Sequence, residues 1–426
     1  MSVRVLNNPL RPSELAEALG SRSQKSSYLD ENSLQELLSV LHQNNFPDIK
    51  QEEYRFFPID TYLRKATSKT IFAEDSTTGI SDLQKKFHFP ELHNLYLFNG
   101  KYLPNHDALP EGIEIYSFPE GAEKFGIQSS HSEHGLNKDI FHAIALLYPS
   151  EGLCIHIKKT PSLPLCIWHI FGRADGGFLP SHVLTKVDEH THADIYEFYV
   201  SLSQVRHPVF VLDFHEKQVS SNASLNNYLV QDLSPEVYLL SQSIHFVKRN
   251  GTSRQWIYSV DGSMIRNNHS LLLSEPEASG ELRGISIGKK KNIIDHHTLI
   301  RHARENGKSY ELYKGIADDE SHLIFNGKIF VAPHAQQTDS FQNSKFLLLG
   351  SRARVQAKPQ LEIFANNVKC SHGSATGKPD EDALFYMQSR GIPKNIALQL
   401  WSKGFIAEII KDIPNPAIQS YVESRI

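Results

Sequence analysis

Asn367-Val368-Lys369-Cys370-Ser371-His372-Gly373 lies where strand-like sequence gives way to helix-like sequence, and it carries a thiol and an imidazole two residues apart. In an extended segment, two-residue alternation places Cys370 and His372 on one face. Soft sulfur beside an imidazole nitrogen can ligate iron, zinc or copper, yet this pair fills only half of a tetrahedral set. A partner chain would have to complete the site. Taken alone, the pair reads more simply as a small buried hydrophobe and a hydrogen-bonded turn histidine.

Upstream, from Gly152 to about Ala365, short extended runs are bounded by Gly, Asn, Asp or Pro. They include Leu153 to Ile157, Leu165 to Phe171, Ala193 to Val200, Val209 to Phe214, Gln255 to Val260, Leu282 to Ile287 and Lys328 to Val331. Without helical stripes between them, the runs predict an all-β region, either a sandwich or a solenoid. No strict hexapeptide or nonapeptide repeat is present, so periodicity alone does not choose between them. Downstream, Asp380, Glu381 and Asp382 suit a helix N-terminus, and Arg390-Gly391 a C-terminus. A second helix follows Pro393, with an apolar stripe of Ile396, Ala397, Leu400, Trp401, Phe405, Ile406, Ile409 and Ile410, expected in part to cap the open end of a solenoid. Asn415-Pro416 starts a last short helix. Near the amino terminus, Ser33 and Glu36 read as a capping box ahead of Leu34, Leu37, Leu38 and Leu41.

A chain of 426 residues with 40% hydrophobic and 22% charged residues can bury a substantial core across two or three regions. Its net charge of -4, with scattered Lys and Arg, argues against nucleic acid or an anionic membrane as the main partner. Three cysteines, Cys154, Cys166 and Cys370, with no CxxC pair, support neither a disulfide framework nor a self-contained thiolate cluster site. Met1 to Gly20 lacks an apolar run of signal-peptide length, and no stretch approaches the roughly 18 apolar residues of a membrane span. A soluble protein of a reducing cytoplasm is expected.

Conventional catalytic motifs are missing. Gly373-Ser374-Ala375-Thr376-Gly377-Lys378 is one residue too short for a P-loop, and Pro379 stands where a magnesium-holding Ser or Thr belongs. No GxSxG elbow or HExxH helix occurs. Asp188, His190, His192 and Asp194 would share one face of a strand and could bind a divalent metal, although such alternation more often marks the wet face of a sheet. Asp295-His296-His297-Thr298, with His302, forms a second histidine grouping. These groups leave open an alternative, a metal-dependent or carbohydrate-acting β-helix enzyme.

The series Lys358-Pro359-Gln360-Leu361-Glu362-Ile363, Val368-Lys369-Cys370-Ser371-His372-Gly373, Leu384-Phe385-Tyr386 and Ser389-Arg390-Gly391-Ile392 continues upstream in Tyr313-Lys314-Gly315, Phe325-Asn326-Gly327-Lys328, Ala335-Gln336 and Gln342-Asn343. Phe46-Pro47 followed by Glu52-Glu53-Tyr54-Arg55 adds an amino-terminal match. In this order the motifs resemble the SufD branch of the SufB/SufD family of iron-sulfur cluster assembly scaffolds, specifically from about His297 onward and in texture before it. The resemblance implies a right-handed parallel β-helix core at 136–375, flanked by a mixed helical region at 1–135 and a helical domain at 376–426. It also implies a non-catalytic scaffold that partners SufB and the ATPase SufC; whether the isolated chain forms a homodimer through the edge that SufB would cover is left open by the sequence. His372 is then the metal-ligating residue of a cluster-assembly interface with SufB, and Cys370 is its weaker companion. The cluster is transient, held at that interface and not stably by this chain alone. Phe385, Tyr386, Arg390, Gly391 and Ile392 fall in the implied SufC-docking region.

Overall fold

The computed structural model describes residues 11–15, 28–68, 80–104, 108–130, 140–148, 150, 152–172, 176–202, 205 and 207–426. Most of the Met1 to Gly20 segment, and the boundary expected at 135 and 136, lie outside them.

Strands dominate the middle of the chain. The first are β1 (His93–Phe98), β2 (Lys101–Leu103), β3 (Ile113–Tyr116), β4 (Leu153–Ile157) and β5 (Leu165–Phe171). They are followed by β6 (Gly177–Val187), β7 (His192–Ser201), β8 (Val209–Val219), β9 (Ser224–Asp232), β10 (Val237–Val247) and β11 (Thr252–Asp261). Next come β12 (Met264–Leu273), β13 (Ser279–Gly288), β14 (Ile293–His302) and β15 (Lys308–Ala317). The last are β16 (His322–Val331), β17 (Asp339–Leu348), β18 (Arg354–Ile363) and β19 (Lys369–Gly377). From β5 onward, odd strands pair in parallel with odd and even with even, giving two sheets that end at β19 and β18. The chain winds as a parallel β-helix of about eight turns, each advancing about 30 residues. At the other end the pattern breaks into antiparallel pairs, β1 with β2 and β3 with β4.

Corners set the winding. His190, Asn222, Asn250, Glu277, Asn306 and Gln337 all have positive φ and occupy the same corner in successive coils. Three of the six are Asn, whose short amide tolerates the left-handed region. Inside the coil, ladders of Leu225, Leu229, Leu239, Ile257, Ile265, Leu271, Ile294 and Ile300 stack into one continuous core. Tyr313 lies across β13 where Gly284 leaves room, since a Cβ there would meet the ring at 2.2 Å.

Both outer faces are covered. Helices α1 (Glu31–Gln43), α2 (Ile59–Thr67), α3 (Ile80–Lys86), α4 (Phe118–Phe125) and α5 (Ile140–Leu147) belong to the amino-terminal part. Leu37, Leu41, Phe57, Leu63, Phe118 and Phe141 pack on Phe210, Leu212, Phe214, Tyr238 and Leu240 of the even sheet. α1 starts two residues before Ser33: its N-cap is Asp30, whose carboxylate accepts from the Ser33 N–H at 2.8 Å. That charged acceptor replaces the expected Ser33/Glu36 capping box.

After the coil come α6 (Glu381–Ser389), α7 (Lys394–Ile410) and α8 (Pro416–Glu423). Asp380 caps α6 by accepting from the Asp382 and Ala383 N–H groups, and Asn415 caps α8. The apolar stripe does not cap the open end. Ile406, Ile409, Ile410 and Ile413 instead lie along the flank of the odd sheet with Tyr228, Trp256, Tyr258 and Ile285. Polar clamps fix this placement: Trp256 Nε1 donates to Asp412 at 3.1 Å, Arg283 pairs with Asp412 at 2.8 Å, and Lys314 pairs with Glu408 at 2.7 Å. Odd-sheet side chains offer both a broad apolar face and fixed charges, so the helices dock there and leave the final coil uncovered.

Candidate functional site at the open end of the solenoid

A polar column runs along the lumen between the two sheets. Glu197 and Tyr199 on β7, and Asp213, His215 and Lys217 on β8, face inward and are fully buried. Lys217 Nζ donates to Glu197 at 2.9 Å and to Asn227 at 2.6 Å, His169 meets Glu197 at 3.2 Å, and Tyr199 donates to Asp213 at 2.8 Å. Burial works to raise the Glu197 carboxyl, but the Lys217 ammonium and the His215 and His169 imidazoles outweigh it and hold it well below the usual range. Asp213 is likewise held down at about 2, its burial overcome by His215. His169, Asp213 and His215 offer ligand atoms within 4.8 Å of one another. Within this cluster Asp213 already accepts from Tyr199 and meets His215 Nε2 at 3.1 Å, while Lys217 is engaged by Glu197.

Further along, His296 lies beside Tyr313 with ring centroids 5.0 Å apart and the planes tilted by 53°, and burial lowers it to about 4. Glu311 on β15 is fully buried, and burial raises it to about 7 against the pull of the hydrogen bond from Gln342. Gln342 Nε2 donates to the Glu311 carboxylate at 2.5 Å.

The column emerges at β19. Parallel register sets Cys370 beside Ser340, His372 beside Gln342 and Ser374 beside Ser344. Ser344 donates to Ser374 at 3.0 Å, and Cys370 packs half-buried against the core, so these alternate positions continue the lumen face. With no strand beyond β19 among the described residues, His372 stands exposed on the last rung. Burial, reinforced by the Asp339 carboxylate, raises the Cys370 thiol. A thiol so held is a weaker nucleophile and ligand than a free thiolate.

The glycine-rich segment after His372 is strand up to Gly377, not a loop opening a helix, so it forms no phosphate cradle. On α6, Phe385 and Tyr386 are 73% and 59% exposed. Arg390 lies over the Tyr386 ring, its guanidinium carbon 5.2 Å from the centroid, and Gly391, at φ +85°, ends the helix with Ile392 half-buried beyond it. Ile396 and Leu400 on α7 are exposed as well.

The other histidine groups separate. His190 sits in a left-handed corner, Asp188 pairs with His156 at 2.9 Å, and His192 hydrogen-bonds Ser224 at 2.7 Å with Asp194 at 3.3 Å. The corner interrupts the alternation that would have aligned all four. His296 points into the lumen, whereas His297 is outside with Asp295, which also pairs with Arg266 at 2.7 Å. Adjacent residues of one strand face opposite ways, so they form no dyad. His302 is inside, bonded to Ser309 at 2.9 Å.

The buried column was missed from sequence. Its signal was present in Asp213-Phe214-His215-Glu216-Lys217, whose alternation also fits an ordinary solvated sheet face.

Residues 170–405 match the SUF system FeS cluster assembly, SufBD core domain. Among similar proteins is the iron-sulfur cluster assembly protein SufD of Escherichia coli, 27% identical over 92% of this chain and 91% of that protein. An iron-sulfur cluster assembly SufBD family protein of Synechocystis is 24% identical over 91% and 88% of the two chains. SufD of Bacillus subtilis is 28% identical over 58% and 56%. With more than half its length matching that domain, and the solenoid of β4–β19 to carry it, the chain belongs to the SufBD core family of the SUF iron-sulfur cluster assembly system.

Proposed function

We propose that this chain is a non-catalytic scaffold subunit in iron-sulfur cluster assembly. It presents His372 to SufB at the open end of the solenoid and the surface around Phe385 and Tyr386 to the ATPase SufC. The observation that carries this reading is the place of His372, an exposed imidazole on the lumen face of a strand that has no further strand beside it among the described residues. A partner coil stacked on β19 would cover that rung and bring its own ligands to it. The cluster is then cargo, built between two subunits and absent from either alone.

A neutral imidazole is a competent iron ligand, and one donor supplied across an interface can be engaged or withdrawn as the subunits move. Cys370, half-buried with a raised thiol, acts first as packing beneath His372. Unpaired backbone groups along β18 and β19 make this end a pairing edge, and in the absence of SufB a second copy of the chain would occupy it. SufC, bound on α6 and α7, would transmit its ATP-driven movement through the clamps of Asp412 and Glu408 on the odd sheet.

Affinity purification of the tagged chain from cells that express the whole system tests the assembly. SufB and SufC co-purify with it on this reading. A chain recovered alone, or one that turns over ATP or a carbohydrate by itself, contradicts it.

A further inference from the structure

Neighbouring odd strands at the open end are linked by side-chain rungs across the lumen face. Ser309 and Ser340 are 2.6 Å apart, Glu311 and Gln342 2.5 Å, and Ser344 and Ser374 3.0 Å. Gln342 and His372 are a further facing pair on this ladder, between the Ser340/Cys370 and Ser344/Ser374 pairs. Glu311 takes the amide Nε2, which turns Oε1 away from it. That Oε1 is buried and has no hydrogen-bond partner among the described residues. A buried amide oxygen left without a donor is costly, so the arrangement calls for one.

Room for this amide is provided by the opposite sheet. A Cβ at Gly327 would lie 2.3 Å from Gln342 Nε2, so only glycine lets the side chain reach its position over Glu311. Phe325-Asn326-Gly327-Lys328 and Gln342-Asn343 are separate motifs in the sequence, and this contact joins them.

We propose that Gln342 and Glu311 are positioning residues for His372: the exposed ring turns to donate one N–H to the unpartnered Gln342 Oε1 beside it, Glu311 anchors the amide, and the other ring nitrogen is left unprotonated toward the partner. Hydrogen-bonded carboxylate and amide groups of this kind fix the tautomer and orientation of histidine ligands. The inference rests on the reading of His372 as an interface ligand, but its geometry can be tested without a cluster.

The test uses the full-length chain with ¹⁵N-labelled histidine, the His372 ring signals being identified by their loss in His372→Asn. At a pH where the ring is neutral, the tautomer ratio should differ about fivefold from that of free histidine, the shift a single net hydrogen bond gives. Gln342→Leu, Glu311→Leu and Gly327→Ala should return the ratio to that of free histidine, whereas Glu311→Gln, which keeps an acceptor for the Gln342 amide, should preserve it. Circular dichroism selects folded variants, and Gly327→Ala displaces the amide without altering either polar residue. In the complex with SufB and SufC, the same three variants should lower recovered iron and sulfide as far as His372→Ala does. A wild-type ratio equal to that of free histidine, or a shift that survives Gln342→Leu, overturns the inference. If His372→Ala leaves iron and sulfide unchanged while the tautomer bias follows Gln342, the functional reading fails and the positioning geometry stands.

Discussion

Glu311 illustrates how a single side chain can trade stability for position. Its folded-state value, raised to about 7, lies above that of an unfolded glutamate. Its contribution to stability is therefore fully present below the unfolded value and is lost as pH rises through 7. Above that pH the ionised carboxylate costs on the order of 3 kcal/mol, from a shift of this size. Glu311→Gln should accordingly raise the melting temperature at pH 8 and have little effect near pH 4, measured by calorimetry at both. Lys217 makes the opposite case, because its ammonium compensates Glu197 and Lys217→Met would leave that carboxylate buried without its cation. A loss of about 3–5 kcal/mol is expected in denaturant unfolding. For Cys370→Ser, the half-buried packing predicts a loss of about 1 kcal/mol, with cluster assembly retained in the folded fraction.

At the scale of elements, the open end is a consequence of where the last helices go. The Trp256, Arg283 and Lys314 side chains hold α7 and the turn after it against the flank, so β18 and β19 stay uncovered. Removing residues 380–426 would strip the odd sheet of its cover and expose Trp256, Tyr258 and Ile285. A surface substitution is the cleaner probe of docking. Phe385→Glu and Tyr386→Glu should abolish SufC capture while changing stability by no more than about 0.5 kcal/mol, measured by pull-down and unfolding on the same preparations. Several strands were legible from the sequence: the runs Leu153 to Ile157 and Leu165 to Phe171 coincide with β4 and β5. The helix start at Asp380–Asp382 and the cap at Asn415 were legible as well, because local chemistry sets them. The cap of α1 was not, since Asp30 and Ser33 both satisfy the pattern and only geometry selects the stronger acceptor.

For the whole molecule, periodicity could not distinguish a solenoid from a sandwich, because the lumen carries polar residues at positions that in a sandwich would face water. Asp213, His215 and Lys217 look like a wet face and are buried. The motif series around Cys370 and His372 supplied what patterning lacked. That series placed the two residues on one strand face, but the column behind them, Gln342 and Glu311, appears only when β15, β17 and β19 are brought into register. The architecture that results is a rod with covered flanks and one uncovered end, and His372 sits on that end. The most direct measurement is iron and acid-labile sulfide per complex after co-expressing His372→Ala with SufB and SufC. The account predicts an intact three-protein complex whose iron and sulfide fall sharply, and wild-type iron and sulfide in that intact complex would contradict it.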